Sequence, residues 1–109
     1  MLDEQQFRKL ADEALITLQR ALERAGDAHG FEVDRNEGAL TVEFEEPPAR
    51  FVVSPNTPVR QIWISALAKS FKLDWNGDRN AFVLNEDGRT LHQLMADVIG
   101  KQLGQTVSI

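Results

Sequence analysis

Apolar residues recur near the start of the chain at three- and four-residue spacing: Phe7, Leu10, Ala11, Ala14, Leu18, Ala21, Leu22 and Ala25. A single stripe of that kind predicts an amphipathic helix from Leu2 to roughly Ala25. Gly26 follows the last periodic residue, where a terminator is expected, and Asp3 and Glu4 fall in the first turn, where the helix dipole favours negative charge. After it the period changes to two. Phe31 and Val33 alternate with Glu32 and Asp34; beyond an Asn36-Glu37-Gly38 turn, Leu40, Val42 and Phe44 alternate with Thr41, Glu43 and Glu45. This pattern predicts a hairpin with an acidic outer face.

Pro47-Pro48 ends the hairpin, because proline has no N–H for a ladder. A third strand is expected at Phe51–Val53, broken by Ser54-Pro55-Asn56, a fourth at Arg60–Ser65, a fifth at Phe71–Trp75 and a sixth at Ala81–Leu84. A second helix starts near Thr90, where Thr90 and Gln93 have capping-box spacing, and buries Leu91, Leu94, Met95, Val98, Ile99 and Leu103. The tail after Gly104 ends apolar at Val107 and Ile109 and should lie back on the helices. Loops this short leave no room for crossover helices, so the sheet is largely antiparallel. The fold class follows: α+β, a two-layer sandwich with two terminal helices on one face of the sheet.

With 109 residues there is material for a single domain spanning 1–109. No apolar run reaches the roughly 20 residues of a membrane span. The opening Met-Leu-Asp-Glu lacks the pattern of a secretory signal, so a cytoplasmic location is expected. A net charge of −5 argues against nucleic acid and anionic membranes as partners and points to a cation or a basic protein surface. Zero cysteines exclude disulfides, thiolate-held zinc and Cys-held iron–sulfur clusters in this chain. No Ser/His/Asp set, phosphate loop or pair of buried carboxylates can be argued, and Asp87-Gly88 does not complete a calcium loop. The chain reads as a binding protein.

Trp63 stands out. Within Arg60–Ser65, Ile62 and Ile64 share one face while Gln61, Trp63 and Ser65 share the other. A face carrying Gln and Ser is the solvent face, so a large aromatic is left exposed on it, as partner-binding surfaces often require. Trp75, in phase with Leu73, is expected in the core.

The residues Asn-Thr-Pro-x-Arg-Gln-Ile-Trp-Ile-Ser at Asn56–Ser65, Asp74-Trp75 and Asp-Gly-x-Thr-Leu-His-x-Leu at Asp87–Leu94 together resemble the frataxin family. Leu10-Ala11-Asp12, Gly38–Phe44 and the closing Gly104-x-Thr-Val-Ser are similar to its bacterial, CyaY-type branch, and the match runs over essentially the whole chain. The resemblance implies an iron-binding accessory protein of iron–sulfur cluster assembly that binds the cysteine desulfurase with its scaffold protein and modulates cluster formation. It is not an enzyme on this reading, and it is a monomer when metal-free. It implies partner contact through Asn56, Gln61, Trp63 and Lys72. It further implies Fe²⁺/Fe³⁺ held weakly and exchangeably by acids of the first helix and adjoining strand, namely Glu4, Asp12, Glu23, Asp27, Glu32 and Asp34.

Spacing limits how those acids cooperate. Asp12 and Glu23 share a helix flank but lie roughly 16 Å apart at about 1.5 Å per residue, so they cannot share one ion. Glu23 and Asp27 are one turn apart, and Glu32 and Asp34 share a strand face; if that strand borders the helix, the four form an acidic corner. Oxygen donors of this kind suit Fe²⁺. The plain alternative is that they are solubilising charges. The acidic ridge is also thinner than the family pattern: Gln19, Arg20, Arg24, Ala25, Gly26 and Ala28 stand where acids are common. Weak iron binding is therefore expected. His29, placed in a turn beside the corner, and His92, in the second helix, are read as solvated and structural respectively. Two other classes remain: a ferroxidase or iron-storage oligomer, and an acidic interaction domain with no metal role.

Overall fold

The amphipathic stripe of the first helix packs across a sheet whose inner face is almost wholly aliphatic and aromatic. A computed structural model describes residues 2–109. Helix α1 (Glu4–His29) leads into β1 (Glu32–Asn36), β2 (Ala39–Glu45), β3 (Pro48–Asn56), β4 (Gln61–Ala66), β5 (Lys69–Asn76) and β6 (Ala81–Leu84), and helix α2 (Leu91–Leu103) follows. The strands lie in sequence order and every pairing is antiparallel. Phe7, Leu15, Leu18 and Leu22 of α1 and Leu94, Met95 and Ile99 of α2 meet Leu40, Val42, Phe51, Val53, Ile62, Ile64, Leu73 and Phe82 of the sheet in one cluster. Val107 of the tail is buried in the same cluster. The α+β two-layer sandwich is as expected. No helix of the described residues is long and apolar enough to cross a membrane.

Several boundaries differ from the expectation, each for a physical reason. Asp3 lies outside α1 as its N-cap: its carboxylate accepts from the Gln6 N–H at 2.8 Å, and Gln6 Oε1 accepts from the Asp3 N–H at 3.1 Å. Gly26 does not end the helix. It is buried, and a Cβ there would stand 2.6 Å from the carbonyl oxygen of Phe31. Its glycine permits close packing, whereas Gly30, with φ of 81°, supplies the left-handed cap. His29 is thus the last helical residue, not part of a turn.

Strand β3 runs through Ser54, Pro55 and Asn56, which were expected to break it. Pairing of β2 with β3 ends at Leu40↔Val53, so one side of Pro55 has no ladder needing an N–H. Arg60 precedes β4 in a left-handed conformation, φ 56°, after the short 3₁₀ turn Thr57–Val59. Strand β5 begins earlier than expected because Leu67 and Ala68 (φ 54° and 60°) make a two-residue hairpin turn without the usual Asn-Gly signal. At the other end of the molecule Thr90 caps α2 and forms the expected box with Gln93. Trp75 faces inward at the sheet's end but is only half-buried, its ring 5.2 Å from that of Phe82. It lines a hollow with Leu10 and Ala14 of α1 and Leu91 of α2, so its inward phase does not give full burial.

Candidate functional site

Both helices pack on one side, so the other side of the sheet is left open. Directly paired residues of antiparallel strands share a face. The pairs Asn56↔Gln61, Ser54↔Trp63, Trp63↔Lys72 and Gln61↔Asp74 therefore bring Asn56, Gln61, Trp63 and Lys72, the residues singled out in the sequence, onto that open face. Ile62 and Ile64, between them along β4, point the other way and are buried. Trp63 is 37% exposed, as its phase requires.

This face is ordered by a chain of hydrogen bonds. Trp63 Nε1 donates to Gln61 Oε1 at 2.9 Å, Gln61 Nε2 donates to Asp74 Oδ1 at 3.2 Å, and Asn85 Nδ2 donates to Asp74 Oδ2 at 2.6 Å. The direction is dictated by chemistry. An indole can only donate and a carboxylate only accept, so the Gln61 amide must turn its oxygen to Trp63 and its nitrogen to Asp74. Lys72 lies over the indole with Nζ 4.9 Å from the ring centroid. Indole, amide and ammonium are thus held in place, an arrangement that would lower the ordering cost of docking a protein here. Asp74 and Asn85 belong to the site but were not among the sequence candidates. Alternation with the inward Leu73 and Trp75 puts Asp74 outward; only the β4–β5 register shows that it faces Gln61.

The acidic edge is built differently. Glu32↔Glu43 and Asp34↔Thr41 put Glu32 and Asp34 on the open face of edge strand β1, with like charges opposed at the first pair. Glu23 and Asp27 are exposed on α1, which covers the other side of the sheet. The four acids thus lie on either side of one edge strand, and none forms an ion pair among the described residues. Asp12 accepts from Arg35 Nη2 at 2.6 Å, which ties α1 to β1, and Glu4 lies 3.7 Å from Arg8 on the same helix. Such exposed pairs contribute about 0–1 kcal/mol each.

Among the described residues, no three His, Asp or Glu side chains converge as a ready-made metal site. The carboxylates suit a hard cation in chemistry but are not gathered around one point. Ala25 and Gly26 also prove to be buried against the sheet, so they are not ridge positions; Gln19, Arg20, Arg24 and Ala28 alone thin the ridge. His29 is half-buried at the helix end. His92 is half-buried too, and burial holds its imidazole below the ordinary histidine pKa.

Comparison with known proteins fits this geometry. The model of the frataxin-like domain matches residues 1–105. The chain belongs to the frataxin-like family. A mitochondrial frataxin of Arabidopsis thaliana is 28% identical over 113 residues, covering 100% of this chain and 60% of that protein. The chain thus spans about 60% of the length of that curated relative. A frataxin structure from Psychromonas ingrahamii, described within the CyaY family, superposes with a TM-score of 0.76 at 24% identity and covers 98% of this chain and 97% of that one. A trimeric frataxin from the yeast Saccharomyces cerevisiae, in a ferrous complex, gives 0.73 at 23% identity over 88% of this chain and 87% of its own. At those identities the structures speak to the fold. The two terminal helices and open antiparallel sheet of this chain are the frataxin arrangement.

Proposed function

We propose that this frataxin-like domain, a single unit over residues 1–109, is an iron-binding accessory protein of iron–sulfur cluster assembly. It docks on the cysteine desulfurase and its scaffold protein and modulates cluster formation. The observation that carries the reading is the preset Trp63–Gln61–Asp74–Asn85 chain on an otherwise uncovered sheet. Exposed aromatic anchors held by neighbours are what protein-docking surfaces use. Membership of the frataxin-like family is consistent with this class of partner, and the ferrous complex of the yeast relative supports iron as the ligand.

Iron is treated as an exchangeable cargo. Glu4, Asp12, Glu23, Asp27, Glu32 and Asp34 are the proposed contacts, with Asp12 and Glu4 partly occupied by arginines. Dispersed, solvated carboxylates favour weak binding over a buried oxidation centre, which needs glutamates and a Glu-x-x-His set on facing helices. The metal-free protein is proposed to be a monomer in the cytoplasm.

Binding of the purified desulfurase–scaffold complex to the wild type and to Trp63→Ala tests the first half of the reading. Equal affinity for both removes the docking face from it. Anaerobic Fe²⁺ titration tests the second half, and a sub-micromolar dissociation constant contradicts weak binding. Oxygen uptake at the background rate is expected on aerobic Fe²⁺ addition; sustained uptake would favour a ferroxidase.

A further inference from the structure

Strand β1 breaks its own pattern. Phe31, just before the strand, and Val33 face the helices, and the next residue of that row is Arg35, directly opposite the fully buried Leu40. The inner face of a strand asks for an apolar side chain at that place. A guanidinium there departs from the rule of the fold, and such departures concentrate at functional sites. The Arg35 side chain is 28% exposed, against 66% for that of Arg8 on the neighbouring helix.

Arg35 lines a hollow of about 430 Å³ between the first half of α1, the β1–β2 turn and the end of β3, a volume in the range of small-molecule pockets. Phe7, Ala11 and Leu15, all buried, give it an apolar floor, and the exposed Arg8, Lys9 and Asp12 stand at its rim. Three cations and one carboxylate thus surround this hollow, in a chain whose net charge is −5. Asp12 takes only Nη2 of Arg35, at 2.6 Å, whereas a guanidinium has five N–H donors. Glu4 comes no closer to Arg8 than 3.7 Å, and Lys9 enters no ion pair among the described residues. A latch between α1 and β1 would be complete with Arg35 and Asp12 alone. Arg8 and Lys9 leave a surplus of positive charge beside an apolar slot.

We propose that this hollow binds a small organic anion, with an apolar body over Phe7, Ala11 and Leu15 and a carboxylate or phosphate head held by Arg35 and Lys9. Both heads present oxygens that match the planar fork of a guanidinium, and an ammonium adds charge without fixing direction. The site lies on the helix side of the sheet, away from Trp63, and does not depend on the docking reading. Asp12 is shared with the proposed iron contacts, so the test is made on metal-free protein.

Calorimetric titration compares phenylacetate, benzyl phosphate, benzyl alcohol and inorganic phosphate. Inorganic phosphate is a head alone; the others share one apolar body. Saturation by phenylacetate, benzyl phosphate or both is expected, with a dissociation constant below about 1 mM, and the probe that saturates identifies the head. Benzyl alcohol and inorganic phosphate should each bind about tenfold weaker or worse. Arg35→Gln should weaken the anion about tenfold and Lys9→Gln about threefold, while Arg20→Gln, which removes a cation of α1 outside the hollow, should change nothing. Thermal melts report folding, and Lys9→Gln, at an exposed helix position, decides the matter if Arg35→Gln unfolds. The site is overturned if neither anion saturates, if benzyl alcohol binds as tightly as the anions, or if the folded variants at Arg35 and Lys9 keep wild-type affinity. Inorganic phosphate binding as tightly as benzyl phosphate overturns the part given to the apolar floor.

Discussion

The open sheet face and the acidic edge are both exposed and both polar, yet they are organised in opposite ways. On the face, Trp63, Gln61, Asp74 and Asn85 are joined by successive hydrogen bonds, and Lys72 covers the indole. At the edge, Glu23, Asp27, Glu32 and Asp34 are held by nothing but their backbone positions and lie on either side of β1. Preorganisation matters most where recognition depends on shape, as in docking a protein. A cation that must enter and leave needs only local negative potential, and a loose set of carboxylates supplies that without trapping it. On the proposed function, the difference separates a surface that would select a partner from one that would concentrate an ion.

The sharpest way to break the comparison is at Trp63. Trp63→Ala should weaken binding of the desulfurase–scaffold complex by about tenfold or more, with folding stability changed by no more than about 0.5 kcal/mol, because the side chain lies outside the core. Interferometry and a thermal melt read the two quantities. A large loss of stability would place the indole among the structural residues instead.

Asp74→Ala probes whether the hydrogen-bond chain is what orders the face. It removes the acceptor of both Gln61 and Asn85, so a several-fold loss of partner affinity and about 0.5–1.5 kcal/mol of stability are expected. Affinity unchanged in that variant would mean the indole needs no anchoring.

At the edge the expectation is graded. Neutralising Glu23, Asp27, Glu32 and Asp34 together (Glu→Gln, Asp→Asn) should weaken Fe²⁺ binding by about three- to tenfold, with each single change contributing a small share. One substitution that abolished binding in an anaerobic titration would reveal a discrete site and dissolve the contrast with the face.

The smallest effect lies at His92, away from both regions. Burial favours its neutral form, so the unfolded chain binds the proton more readily than the fold does. Stability from this group is complete above the ordinary histidine pKa of about 6.5 and declines as pH falls through it. His92→Gln should flatten the melting temperature between pH 7 and pH 5, and should leave partner and iron binding unmoved.

Much of this was legible in the chain. Two helices, six strands and the outward direction of Trp63 follow from periodicity, because a period of two or of 3.6 decides locally which residues share a face. Turns without sequence signals were not legible. Leu67-Ala68 has neither Gly nor Asn, and β5 therefore starts sooner than its residues suggest. Gly26 misled for a related reason: a glycine that ends a helix and one that admits a neighbouring carbonyl look the same in one dimension.

The alternation of Gln61, Trp63 and Ser65 against Ile62 and Ile64 determined on its own that one side of the sheet would stay wet, since burying that polar row would leave hydrogen-bonding groups unpaired. Which groups meet across strands was decided only in three dimensions. Asp74 beside Gln61, Arg35 beside Asp12, and the separation of the four acids by an edge strand all depend on register and on the side each helix covers. Those are properties of neighbours distant in sequence. Local periodicity carries no information about them.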